Sequence, residues 1–203
     1  SLTQIWITHH HGDHTAGLAA LAGDGVEVFG PAGIGGIDTV LDGGTSFAFA
    51  GREVEVISTP GHTLAMLNYY LPAEKLVFTG DTLFAMGCGR LFEGDAPLMW
   101  DSLCKLMALA DDTVVYCGHE YTAANARFAL SVDPANTALQ RRAKAVDELR
   151  SIGQPTVPTM IALEKATNPF LRAGDAGLRA HLGMEGASDA EVFAEVRRRK
   201  DNF

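Results

Sequence analysis

No unbroken apolar stretch of membrane-spanning length occurs in this 203-residue chain. Its apolar runs are short and interrupted by glycine or charge. Cysteine is scarce as well. Cys88, Cys104 and Cys117 are too few and too scattered for a disulfide framework, and an odd count fits a reducing, cytoplasmic setting. Cations are outnumbered: 16 Lys and Arg against 25 Asp and Glu leave a formal charge of −9, which repels a phosphate backbone. Nucleic-acid and membrane partners are therefore not expected, and the protein is expected to be a monomer. Ser1 leads straight into a strand-like run, Leu2 to Thr8, with no signal-peptide pattern. What is present, 47% apolar and 20% charged residues, suits one substantial core with or without a smaller appended domain.

Texture changes near residue 120. Before it, short β-branched or aromatic runs bounded by Gly, Pro and Asp predict strands at Ile5–Thr8, Val26–Phe29, Glu53–Ile57, Leu67–Leu71, Lys75–Phe78 and Thr113–Tyr116. Helices are predicted at Ala16–Ala22 and Pro97–Ala110. Mixed sheets covered by helices follow from that order. After Glu120 strand signals stop, and helices are predicted at Tyr121–Leu130, Thr137–Ser151, from Thr159 to about Asn168, and from Ser188 or Asp189 to Lys200. The division is thus an α/β part over 1–119 and a helical part over 120–203, with no internal repeat.

Chemistry is concentrated in Thr8-His9-His10-His11-Gly12-Asp13-His14, directly after a strand. Imidazole and carboxylate suit zinc, and equally iron or manganese. His9 and His11, two apart in extended chain, project to one side, while Asp13 and His14 lie on the following turn. Three later strands each end at a glycine followed at once by a ligand-capable residue: Gly61-His62, Gly80-Asp81 and Gly118-His119. Each alone is an ordinary turn, but glycine permits close backbone approach to an ion and the strand anchors the ligand. His9, His11, Asp13, His14, His62, Asp81 and His119 are too many donors for one tetrahedral site and suffice for two cations sharing Asp81. Two such cations lower the pKa of bound water towards ~7 and polarise a carbonyl.

Thr8 to His14, Thr59-Pro-Gly-His-Thr63, Phe78-Thr-Gly-Asp-Thr-Leu-Phe84 and Tyr116-Cys-Gly-His-Glu-Tyr121, in that order, resemble the metallo-β-lactamase superfamily. Asn168-Pro-Phe-Leu-Arg172 and Arg197-Arg-Arg-Lys-Asp201 extend the likeness to the glyoxalase II (hydroxyacylglutathione hydrolase) family, over nearly the whole chain. The resemblance implies an αββα sandwich followed by an all-helical, substrate-binding domain. It implies two divalent metals, zinc foremost, with His9, His11 and His62 on one, Asp13, His14 and His119 on the other, and Asp81 between them. The implied reaction is hydrolysis of a small-molecule thioester, S-D-lactoylglutathione, to D-lactate and glutathione. Asp13 and Asp81 are the expected catalytic carboxylates, Asp13 as ligand, general base or both.

By the same resemblance Arg90, Phe92, Tyr121, Arg197 and Lys200 hold glutathione. Local cations are what an acidic protein needs to hold a carboxylate. Arg197 and Lys200 share a helix face, though basic residues at a helix end also simply complement the dipole. Phe92 stands where the family often has Tyr, Arg90 where Lys is usual, and Gly12 where an aromatic is frequent. His10 is expected outside the ligand shell, His181 on the surface, and the three cysteines as structural. The family also places several strands before the histidine motif, so Ile5–Thr8 is expected to lack sheet neighbours and the chain to be part of a longer protein. Two alternatives stay open: a mononuclear iron sulfur dioxygenase of the same superfamily acting on glutathione persulfide, and a non-catalytic metal-stabilised module or inactive fragment.

Overall fold

The computed structural model describes residues 1–203. In chain order the elements are β1 (Gln4–Trp6), α1 (Gly12–Thr15), α2 (Leu18–Leu21), β2 (Glu27–Gly30), β3 (Thr39–Val40), β4 (Ser46–Phe49), β5 (Arg52–Ser58), β6 (Leu67–Leu71), β7 (Leu76–Gly80), β8 (Leu83–Phe84), β9 (Gly87–Cys88), α3 (Ala96–Met107), β10 (Val114–Cys117), α4 (Thr122–Val132), α5 (Thr137–Ser151), β11 (Thr159–Met160), α6 (Ile161–Thr167), α7 (Ala176–Leu182) and α8 (Asp189–Asp201). A three-stranded parallel sheet, β1-β2-β3, faces a six-stranded mixed sheet ordered β11-β10-β7-β6-β5-β4, and β8-β9 forms a short hairpin. No helix is long and apolar enough to cross a membrane.

Strand alternation builds two cores. Val54, Val56, Leu67, Tyr69 and Leu71 point from the large sheet toward Phe29 and Leu41 of the small-sheet layer. Val77 and Val115 point the opposite way, into a larger core shared with Leu103 and Leu106 of α3, Phe128 of α4, Ile161 of α6, and Phe193 and Val196 of α8. Helices α3, α5 and α8 start where the sequence supplies caps. Asp95 accepts from Leu98 N, Asn136 from Ala138 N and Leu139 N, and Ser188 forms a reciprocal capping box with Glu191.

Several expectations need correction. The helix predicted over Ala16–Ala22 is a single turn, α2, and a separate turn before it, α1, begins inside the histidine motif, so Asp13 and His14 themselves are helical. Residues after 120 are not all helical: Thr159–Met160 returns to the large sheet and pairs antiparallel with β10, and α6 starts one residue later than the Thr159 cap would place it. The strand expected at Ile5–Thr8 is β1, Gln4–Trp6, and it does not stand alone, because it pairs with β2 through Gln4, Ile5 and Trp6. Its other edge carries no strand. There Trp6, Phe49, Tyr69, Phe78 and Tyr116 line an open apolar furrow of about 740 Å³.

Candidate metal centre

Each of the seven donors sits at the end of a strand or on the turn that follows one. His9 and His11 come after β1, Asp13 and His14 lie on α1, Asp81 follows β7 and His119 follows β10. His62 is reached four residues past β5, beyond Gly61, whose φ of +151° and close approach to Met99 leave no room for a side chain. The structure brings all seven together. His9 Nε2 and His62 Nε2 lie 3.1 and 3.0 Å from His11 Nδ1, and His14 Nε2 lies 3.2 Å from His119 Nε2. Asp13 Oδ2 stands 3.4 Å from His119 and 3.6 Å from His14. Asp81 reaches both groups, with Oδ1 3.3 Å from His14 and Oδ2 3.3 Å from His119 and 3.5 Å from His62.

Two observations test whether these residues fit metal ions. First, His62 Nδ1–H donates to the Arg90 carbonyl at 2.8 Å, and a carbonyl can only accept. That fixes the tautomer and leaves the Nε2 lone pair directed at its neighbours. Three ring nitrogens converging at 3.0–3.1 Å cannot all be satisfied by hydrogen bonds among themselves. Ligands about 2.0–2.1 Å from one tetrahedral cation would stand about 3.3 Å apart, close to what is found. Second, Asp81 Oδ1 is buried without a hydrogen-bond partner, an expensive arrangement unless a cation satisfies it. The donor set fits.

Charge states agree. Burial, reinforced by His14, His62 and His11 against the pull of Asp81, pushes His9 down to about 3. Burial likewise lowers His62, helped by His11 and His14, although the Arg90 carbonyl and Asp81 oppose it. Both imidazoles are held neutral, the form that ligates. Asp81 raises His14. Burial alone would raise Asp81 in turn, but His14, His119 and His62 outweigh it and keep the carboxylate ionised.

The donors open onto a cavity of about 520 Å³ whose walls include Arg90, Phe92, Tyr121, Arg197 and Lys200. Phe92 is largely exposed and packs edge-on to His11 and His62. Tyr121 stacks on His119, ring centroids 4.8 Å apart and planes 13° from parallel. Lys200 is held between the rings of Phe128 and Phe203, its pKa lowered by burial and then by Arg197, Arg127 and Arg90. Arg197 differs from what a free carboxylate clamp requires. It is 4% exposed, donates from NH1 to the Cys88 carbonyl at 3.0 Å and from Nε and NH2 to Asp201 Oδ1 at 3.1 and 2.7 Å.

His10 turns away from the donors to pair with Glu93 at 3.2 Å, and His181 is exposed. The Cys88 thiol is pushed up to about 11 by burial despite Arg197 beside it, so no thiolate is on offer. Asp201 and Phe128, which hold Arg197 and Lys200, went unread in the sequence. Asp201 was within reach of inspection, lying i+4 from Arg197 on one helix.

Comparison with known proteins bears on the fold and the family. Residues 22–119 match the metallo-beta-lactamase superfamily and residues 120–203 match the hydroxyacylglutathione hydrolase C-terminus. Among solved structures, ETHE1 from Myxococcus xanthus superposes with TM-score 0.66 at 27% identity, over 98% of this chain and 69% of that one. A metallo-beta-lactamase from Staphylococcus aureus subsp. aureus COL shares the fold at TM-score 0.59 and 15% identity, over 98% of this chain and 56% of that one. The fold is that of a metallo-β-lactamase-superfamily protein, an αββα sandwich with a helical C-terminal region. The curated relatives are more specific. Proteins called hydroxyacylglutathione hydrolase from Rhizobium meliloti (strain 1021) and Brucella anthropi are 59% and 56% identical, each over 100% of this chain and 81% and 80% of their own length. One from Ruegeria pomeroyi is 52% identical over 100% of this chain and 82% of its own. The chain belongs to the hydroxyacylglutathione hydrolase family.

Proposed function

We propose that this chain hydrolyses S-D-lactoylglutathione to D-lactate and glutathione at a centre of two divalent metals, most simply zinc. The observation that carries the proposal is the position of Asp81, whose carboxylate reaches both donor groups, Oδ2 lying near His62 of one and His119 of the other, and Oδ1 near His14. His9, His11 and His62 would hold one ion, Asp13, His14 and His119 the second, and Asp81 both. Of the three donor sets that lie within ligating reach, His9, His11 and His62 and Asp13, His14 and His119 follow this division, and His9, His14 and Asp81 span it. When bound, such ions supply an activated water near neutral pH and polarise the thioester carbonyl.

The chain's own residues supply the rest. Asp13, the most exposed of the donors, lies where its carboxylate can take a proton at the cavity mouth. Lys200 and Arg90 present cationic heads for the glutathione carboxylates, while Arg197 acts from beneath by holding the Cys88 carbonyl. Phe92 covers His11 and His62 and excludes water from that side. Tyr121 steadies His119 by stacking and offers its hydroxyl to substrate. The departing sulfur of a thioester leaves as a stable thiolate, so no strong general acid is required. We read residues 120–203 as the part that binds substrate and 1–119 as the part that holds metal.

The test is metal analysis and S-D-lactoylglutathione hydrolysis on one preparation. Asp81→Ala and His119→Ala should each lose metal and turnover together, and unchanged metal and turnover in both would end the proposal. A mononuclear dioxygenase would leave the Asp13, His14 and His119 group without a purpose. Oxygen uptake with glutathione persulfide is therefore expected to be absent.

A further inference from the structure

Four consecutive residues of the β8–β9 hairpin are held through their backbone by side chains from the helical stretch, and none of those side chains is a metal donor. Asn168 Nδ2 donates to Phe84 O at 3.2 Å and Gly87 O at 3.0 Å, and Asn125 Nδ2 donates to Ala85 O at 3.1 Å. Met86 N–H donates to Glu164 Oε2 at 2.8 Å. Met86 itself sits at φ +54°, where a residue with a side chain needs outside support. A Cβ on Gly87 would lie 2.4 Å from Asn125 Nδ2, so the turn and its holders are fitted to each other.

Glu164 is the centre of this arrangement. It is fully buried, and its Oε2 accepts from Met86 N and Asn168 Nδ2, while Oε1 accepts from Arg142 NH2 and Thr159 Oγ1, both at 2.6 Å. Arg142 is fixed in turn by donating to Thr167 Oγ1 and Thr159 Oγ1. A buried ion pair contributes little net stability over an apolar pair of the same shape, but it is strongly directional. What Glu164 aims at is a turn lying between the two halves of the candidate site. Asp81 precedes it, and after it come Arg90, whose carbonyl orients His62, and Phe92.

We infer that Glu164 is a positioning residue for the active site. With Arg142 as its counter-ion, and with Asn168 and Asn125 beside it, it sets the turn at 84–87. Through that turn it sets the 88–92 segment that carries the His62-orienting carbonyl and the side chains of Arg90 and Phe92. The kinetic side of this inference rests on the thioester-hydrolase proposal; the structural side does not.

Glu164→Gln keeps the shape but turns one acceptor into a donor, which must then face Met86 N–H or Arg142. In the metal-loaded protein, amide hydrogen exchange over 84–90 should rise about tenfold. KM for S-D-lactoylglutathione should rise about tenfold, against less than about twofold for a small thioester lacking glutathione. Thr167→Val loosens Arg142 from the side away from the hairpin. It should lower Tm and leave both the exchange and the KM ratio as in wild type. If Glu164→Gln lowers Tm in the same way with exchange and KM ratio unmoved, Glu164 merely stabilises and the inference is overturned. Should Glu164→Gln not fold, Asn125→Ala removes the single bond to Ala85 and should give a smaller rise, about threefold, in both readouts; no change there overturns the inference equally. If wild type does not turn over the glutathione thioester, the functional proposal falls, and exchange at 84–90 still decides for or against the positioning of the turn.

Discussion

Gly118 allows the metal centre to be perturbed without removing a ligand. It links β10 to His119, donates its N–H to Gly80 O at 2.8 Å, and lies against the most enclosed part of the site. A Cβ added there would stand 2.6 Å from Asp81 Oδ1, 2.9 Å from His14 Cε1 and 3.2 Å from Gly80 O. Its φ is not in the left-handed region, so Gly118→Ala is opposed by these contacts alone. Relieving the first to an ordinary separation of about 3.4 Å moves the Asp81 oxygen by roughly 0.8 Å. A misplacement of about 1 Å costs on the order of 10²-fold in rate. The expected loss in kcat/KM is therefore about 30- to 100-fold, or ~2–3 kcal/mol of transition-state stabilisation. Metal content should fall with it, because Asp81 belongs to both donor groups and His14 to one of them. Gly12→Ala is the matched control, next to two donors but with nothing within 4 Å of its added Cβ, and should stay within about twofold of wild type. Metal analysis and thioester hydrolysis on both variants give the answer. Wild-type metal content and turnover in Gly118→Ala would refute the convergence of Asp81 and His14 beside this glycine.

Other outcomes follow from the same geometry. Lys200→Ala and Arg90→Ala should each raise KM for S-D-lactoylglutathione by about tenfold and spare small thioesters; equal effects on both substrates would remove these residues from glutathione binding. Tyr121→Phe should keep the stacking on His119, and with it the metal, while Tyr121→Ala should lose both; identical metal content in the two variants would deny the stacking any role. His9 is held down to about 3 when folded and returns to about 6.5 when unfolded, so between those values the unfolded chain binds more protons. Its contribution to the stability of the metal-free protein is thus complete above about pH 6.5 and is lost as pH falls toward about 3. Thermal melts of chelator-treated protein across that range should show the decline, and His9→Gln should flatten it. A slope as steep in the variant would exclude His9 as a source.

The donor set was legible in the sequence because the chemistry limits the candidates so severely. Metal pairs need imidazole and carboxylate on rigid anchors, and Gly61-His62, Gly80-Asp81 and Gly118-His119 announce themselves at strand ends. Most strands of the large sheet were legible for the same local reason, since runs such as Leu67–Leu71 carry their own turn signals. What escaped was whatever lacked a local signature. Two-residue strands such as Thr39–Val40, Leu83–Phe84 and Thr159–Met160 are too short to show a period. The bond from Met86 N to Glu164 spans 78 positions and obeys no spacing rule. Arg197 read as a free cation because its burial depends on the fold bringing Cys88 to it from 109 positions away.

One peptide unit does two jobs. The carbonyl that dictates which nitrogen of His62 is free belongs to the same residue whose guanidinium lines the cavity. Appetite for a thioester and grip on a cation are therefore not independent traits in this scaffold. Anyone retuning residues 89–92 to accept a different acyl donor is also editing the tautomer of a ligand. Loss of the ion will then masquerade as a change in selectivity unless the two are assayed side by side.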